Sequence, residues 1–257
     1  IPCLSANANG LERGSSVEFT MPLILRILYG ALYGDALMWL SNQVKPYELE
    51  KGATDKAVNP INLYGGTKLV SDKLFIAANA YAGAKNVCFS IVRYGNVAGS
   101  RGSVIPFFRN LVENGEKALP ITDYRMTRFW ISLDEGVQLV IKALSEAKGG
   151  ETFISKIPSF KITDLAQAIL PGCEMPEVGI REGEKLHEIM VTREDSMMTY
   201  EYEKHFIVYP HFEWWDDSKI QAGGKRVEQG FEYSSGTNTE WLSVEQIQEM
   251  LKTVKEH

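Results

Sequence analysis

From residue 54 onward, apolar and polar positions fall into short periodic stretches. After a break at Pro60, Leu69, Leu74, Phe75 and Ala78 recur at helical spacing and predict a helix over Leu63–Ala82. The run Val87–Arg93 (VCFSIVR) is largely apolar and β-branched, the pattern of a strand buried on both faces in a parallel sheet. A glycine-rich loop, Asn96–Ser103 (NVAGSRGS), leads into the amphipathic stretch Val104–Glu113, and Leu133–Ala147 predicts a further helix. Ser132 with Glu135 three residues on supplies a capping box for that helix. Shorter elements follow: a strand at Thr152–Ser155, a helix at Ile162–Ile169, a strand at Val178–Arg181 and a helix at Val244–Lys252. The region around Trp214, Trp215 and Tyr233 shows no period. Strands alternating with helices imply an α/β chain with a parallel sheet and a small mixed C-terminal lobe.

Residues 1–52 lack this regularity. Met21–Leu40 is mostly apolar, but Arg26 and Asp35 interrupt it. A charge within a membrane span costs about 2.5–3.5 kcal/mol, so the stretch predicts a buried or interfacial helix and no stable membrane insertion. No basic segment precedes a clean apolar core and cleavage site, which argues against a secretory signal. No G-x-G-x-x-G turn follows an apolar strand, and Tyr47–Gly52 is too charged for a buried parallel strand. The chain opens at Ile1, and a fragment of a longer protein is the expectation.

Composition narrows the classes. With 44% hydrophobic and 23% charged residues, the chain is an ordinary globular one, long enough for one or two domains. A net charge of −6 argues against a broad nucleic-acid-binding face. Cys3, Cys88 and Cys173 are far apart and form no CxxC pair, so neither a disulfide framework nor a zinc knuckle is expected, and a reducing cytoplasm fits. His187, His205, His211 and His257 have no metal-binding spacing, and no metal is assigned. The Trp214-Trp215 pair reads as packing.

The chemistry concentrates near the first helix. Tyr64 and Lys68 stand four residues apart, on one helical face, where an ammonium beside a phenol favours its ionised form and makes a usable base for an alcohol. Upstream, Thr54-Asp55-Lys56 and then Asn59-Pro60 place an acid and an amine just before that helix. Each group alone is compatible with a solvated polar turn. Together they gather a proton donor and two bases at the rim of an open sheet, where ligands bind in such folds.

The runs TDKAVNPINLYGGTKLVSDKLF, RYGNVAGSRGSVIPFF, RMTRFWISLDEGV and REGEKLHEIM resemble the inverting UDP-N-acetylglucosamine 4,6-dehydratases of bacterial pseudaminic acid biosynthesis. These belong to the extended short-chain dehydrogenase/reductases and the CapD-like polysaccharide biosynthesis proteins. The resemblance covers residues 53–257 and implies a partial Rossmann-like parallel sheet with a small mixed α/β substrate lobe. It divides the chain into an unmatched segment 1–52, the C-terminal half of a Rossmann-like domain at 53–160, and a substrate lobe with tail at 161–257.

The same resemblance implies residue roles. Tyr64 would be the alcohol base and Lys68 its partner on the NADP ribose. Asp55 and Lys56 would be acid and base of dehydration, and Thr54 would touch the sugar. Val97, Ala98, Gly99, Ser100 and Arg101 would contact NADP, while Asn96, Val104, Arg181 and Glu184 would bind the UDP-sugar. Arg125 and Arg128 are weaker phosphate candidates. Tyrosine at position 64 matches the pseudaminic branch, and Lys56, absent from sugar 4-epimerases, favours dehydration over epimerisation. A homo-oligomer is the implied assembly. The missing glycine turn predicts weak NADP binding by this chain and leaves a second hypothesis, a non-catalytic remnant or UDP-sugar-binding partner subunit. A 4-epimerase is the third.

Overall fold

The computed structural model describes residues 56–82, 88–100 and 102–254. The stretch Met21–Leu40 lies outside these residues, as do Thr54, Asp55, Val87 and Arg101. Among the described residues, no helix is long and apolar enough to cross a membrane and no cluster of His, Cys, Asp or Glu could hold a metal ion.

The chain is α/β. Helix α1 (Leu63–Ala82) packs on strand β1 (Ile91–Arg93), which leads through the glycine-rich loop to α2 (Val104–Glu113). Strand β2 (Thr127–Phe129) precedes α3 (Leu133–Glu146), where the Ser132 and Glu135 capping box forms as the sequence predicts. Strands β3 (Thr152–Ser155) and β4 (Ser159–Lys161) follow, then α4 (Ile162–Ile169). The remainder holds β5 (Ile189–Val191), β6 (Thr199–Glu201), β7 (His205–Val208), β8 (Lys225–Arg226), β9 (Tyr233–Ser234) and α5 (Val244–Leu251).

The main sheet has the order β1-β3-β7-β6-β8. Only β1 and β3 run parallel, with Val92 opposite Phe153; β7, β6 and β8 extend the sheet antiparallel. Strands β2 and β4 form one antiparallel pair, and β5 and β9 another. The expected boundary at residue 160 falls inside β4, and β6 and β7 from beyond it complete the sheet that holds β1 and β3.

Two expectations need correction. The strand expected from Val87 starts only at Ile91, although Ile91 N–H and Gly150 N–H already tie the approach through bonds to Glu151 O (2.9 Å) and Phe89 O (2.6 Å). Val178–Arg181 is not a strand. Its residues are exposed, Gly179 takes φ +88°, and only Val178 N–H reaches a neighbour, at Ile121 O (2.8 Å). Apolar side chains at Val178 and Ile180 imitate alternation, but the parallel bridging between 118–121 and 174–177 stops at Val178.

Two apolar clusters form the core. One, including Tyr94, Phe129, Phe153 and Phe206, packs α3 on the main sheet; the other, including Phe108, Trp130, Phe160 and Ile247, joins α2, α4 and α5. Phe129 and Trp130 are adjacent, so the clusters abut at the end of β2, and Met126, Arg128, Phe129 and Trp130 line the cavity described below.

His205, buried on β7, has a pH consequence. Burial, with Lys142 and Lys156 nearby outweighing Glu146, pushes its pKa from 6.5 down to about 4. The unfolded chain therefore binds a proton between those values that the fold refuses. This contribution to stability is present above pH 6.5 and lost as pH falls towards 4, with a slope of up to about 1.4 kcal/mol per pH unit. Denaturant unfolding across that range should show the slope, and His205→Gln should flatten it; an unchanged slope would refute the assignment.

Candidate active site

The start of α1 is built by three small devices. Asn62 Oδ1 accepts from Gly65 N–H at 2.8 Å and caps the first turn. Its Nδ2 donates to Gly183 O at 2.9 Å, fastening the loop 181–185 to the helix. Lys185 Nζ adds a second tie to Val58 O. Gly65 lets the preceding turn close: a Cβ there would stand 2.6 Å from Lys56 O and 2.9 Å from Pro60 Cβ. Glycine is thus what allows Lys56 to sit against the helix that carries Tyr64.

The outcome is a cavity of about 870 Å³ in which Lys56 and Tyr64 both line the wall. Lys68, 8% exposed, lies behind Tyr64 with its Nζ 5.5 Å from the ring centroid. Tyr64 itself is exposed, on the open side. Gly65→Ala should force the 56–60 turn away, costing about 1–3 kcal/mol of stability and, through the displaced amine, about tenfold or more in turnover. Unfolding and kinetics on the same variant check both; parental values for both would count against the close approach.

The opposite wall comes from the loop after β1. Val97 bridges Ile131, Ala98 N–H donates to Ile131 O (3.1 Å), and Ser100 N–H donates to Val97 O (3.2 Å). Gly99 is buried with φ +79°, a conformation that favours glycine. Asn96, Val97, Ala98, Ser100 and Val104 all line the cavity; Gly99 forms the bend behind them.

The third wall is polar. Arg128 donates from Nη1 to Thr127 O (2.7 Å) and Leu186 O (3.2 Å), and faces Glu184 (3.5 Å) and Glu188 (3.4 Å). Arg181 and Glu184 both line the cavity, but Glu184 pairs with Arg128 while Arg181 lies exposed at the rim. Of the two weaker arginine candidates, Arg128 is in the cavity. Arg125 is not among its lining residues; it is exposed and held by Asp123 at 2.7 Å, and this pairing keeps the Asp123 carboxyl low, at about 2.

Sequence reasoning missed Asn62, Lys185 and Glu188, all of which line the cavity. The last two stand in the REGEKLHEIM run, whose density of charge was the available signal. Asn62 carried only the generic signal of a helix cap one residue before an apolar position.

Residues 44–210 match the polysaccharide biosynthesis protein family. The chain is 53% identical over 205 residues to the UDP-N-acetylglucosamine 4,6-dehydratase (inverting) of Campylobacter jejuni subsp. jejuni serotype O:2, covering 77% of this chain and 61% of that protein. It is 34% identical over 206 residues to the UDP-glucose 4-epimerase of Rickettsia rickettsii, covering 79% of this chain and 60% of the relative. Among solved structures, Pen from Bacillus thuringiensis superposes with a TM-score of 0.66 at 32% identity, covering 77% of this chain and 59% of that one. The chain therefore spans about 61% of the length of the dehydratase it matches.

Proposed function

Because the chain belongs to the polysaccharide biosynthesis protein family, we propose that its cavity dehydrates a UDP-sugar, as a C5-inverting UDP-N-acetylglucosamine 4,6-dehydratase. The observation that carries this reading is that Lys56 and Tyr64 line one cavity with Lys68 against the Tyr64 ring. Two bases at one ring suit two proton abstractions, one from the C4 hydroxyl and one from C5, and an epimerisation at C4 needs only the first. The higher identity to the dehydratase, 53% against 34% for the epimerase, points the same way.

Tyr64 takes the C4 hydroxyl proton, with the Lys68 charge beside the developing phenolate. The resulting 4-ketone acidifies C5, and Lys56 removes that proton. Asp55 protonates the departing C6 hydroxyl, and return of a proton to the other face of C5 inverts that centre. NADP, when bound, supplies the hydride acceptor at C4 and the donor at C6, so no net oxidation occurs. Lys68, buried with its ammonium against the Tyr64 ring, and the bend Val97–Ser100, whose Val97, Ala98 and Ser100 line the same cavity, would hold its nicotinamide ribose. Arg101 would complete that contact. Asn96, Val104, Arg181 and Glu184 hold the UDP-sugar, with Thr54 touching it; the division at residues 52 and 160 leaves the cofactor contacts in 53–160 and places Arg181 and Glu184 in the lobe 161–257. Leu63, Val70 and Leu74 present an exposed apolar stripe on α1 that suits pairing with a second copy, and a soluble cytoplasmic setting fits the pool of nucleotide sugars.

Incubating the purified protein with UDP-N-acetylglucosamine and NADP and reading the product by NMR tests the proposal. A 4-keto-6-deoxy sugar with inverted C5 is expected; unchanged substrate or its C4 epimer would contradict it.

A further inference from the structure

The inner wall of the cavity carries a carboxylate that the reaction above does not use. Glu188 is 3% exposed, and Ser235 fixes its backbone twice: Glu188 N–H donates to Ser235 Oγ (2.9 Å), and Ser235 N–H donates to Glu188 O (2.8 Å). The side chain then has a set direction. Oε1 accepts from Asn96 Nδ2 at 2.7 Å and lies 3.4 Å from Arg128 Nε, while Oε2 accepts from Phe129 N–H at 3.4 Å. The loop after β1, strand β2 and the approach to β5 meet on this one buried acid.

A primary amide can face a ligand with its oxygen or with its nitrogen. A carboxylate beside a guanidinium has only lone pairs to offer, so Asn96 must turn Nδ2 towards Glu188. Among the described residues no protein donor reaches Asn96 Oδ1, and Asn96 lines the cavity. We propose that Glu188 is a positioning residue that fixes Asn96 as a hydrogen-bond acceptor, so that this wall takes a hydroxyl or amide N–H of the sugar nucleotide. A ligand group that can only accept is turned away. The inference rests on reading the cavity as a UDP-sugar site.

Exchanging the two roles tests it. Calorimetry with UDP-N-acetylglucosamine is run on the parent chain, Glu188→Gln, Asn96→Asp and the double variant, each also followed by thermal unfolding. Glu188→Gln should weaken binding about tenfold, because a glutamine can donate as well as accept and lets Asn96 turn over. Asn96→Asp should weaken it about 30-fold or more, by setting two carboxylates against each other. The double variant restores a donor facing an acceptor, with an oxygen still presented at position 96, and should recover binding to within about threefold of the parent. Losses that simply add in the double variant would overturn the inference while leaving the UDP-sugar reading intact. A parent chain that binds no UDP-N-acetylglucosamine would overturn the reading, and the inference with it. If a single variant fails to fold, the Asn96 side-chain amide of the parent decides by NMR: protection from solvent exchange supports the fixed orientation, and free exchange overturns it.

Discussion

Tyr64→Phe is expected to lower turnover of UDP-N-acetylglucosamine by about a thousandfold, the range of a lost general base, while changing KM by less than about threefold. The substitution removes one hydroxyl from the exposed side of the cavity. Tyr64 is exposed, so the unfolding midpoint should stay close to that of the parent. The Lys68 ammonium retains an aromatic face beside it, since the ring that it approaches at 5.5 Å is unchanged. Steady-state kinetics with thermal unfolding of the same preparation separates the outcomes. A variant that keeps its turnover would remove the phenol from the chemistry.

The second large effect is one of stability. Arg93→Met should destabilise the fold by about 3–5 kcal/mol, because it strands a buried acid. Asp72, on α1 four residues after Lys68, is fully buried, and neither carboxylate oxygen has a hydrogen-bond partner among the described residues. Arg93 Nη2 stands 3.6 Å from it, while Nη1 donates to Asp195 Oδ2 (3.0 Å) and Met190 O (3.1 Å). One guanidinium thus ties the helix of Tyr64 to β1 and to the segment around β5. Burial raises the Asp72 pKa above 3.8 even with Arg93 present. Without Arg93 the ionised form is costlier still, so the loss should be smallest near pH 4 and grow as pH rises to neutrality. Urea unfolding at both pH values checks this, and Asp72→Asn added to Arg93→Met should recover part of the stability. A loss below about 1 kcal/mol at neutral pH would show that the acid is not stranded.

What could be read from the sequence divides by length and period. Helices α1 to α3 were legible because ten or more residues repeat an apolar face, and the Ser132 capping box marks a boundary with specific chemistry. Strands β6 to β9 were not, since runs of two to four residues carry too little alternation to separate from loop, and Val178–Arg181 shows the reverse error. Lys56, Tyr64, Asn96 and Glu184 were found through motif order, and they line one cavity. The partner of Glu184 was not legible, because its pairing with Arg128 spans two segments that only the fold brings together. Glu188 was hidden for the same reason: its role lies in contacts with residues 60 and 92 positions away along the chain.

The central claim is that two bases act in turn on one sugar ring. UDP-N-acetylglucosamine carrying deuterium at C4 puts that claim to measurement most directly, with NMR locating the label in the product. Dehydration predicts deuterium at C6 of a 4-keto-6-deoxy sugar; a product that retains the label at C4 would identify epimerisation and contradict the account.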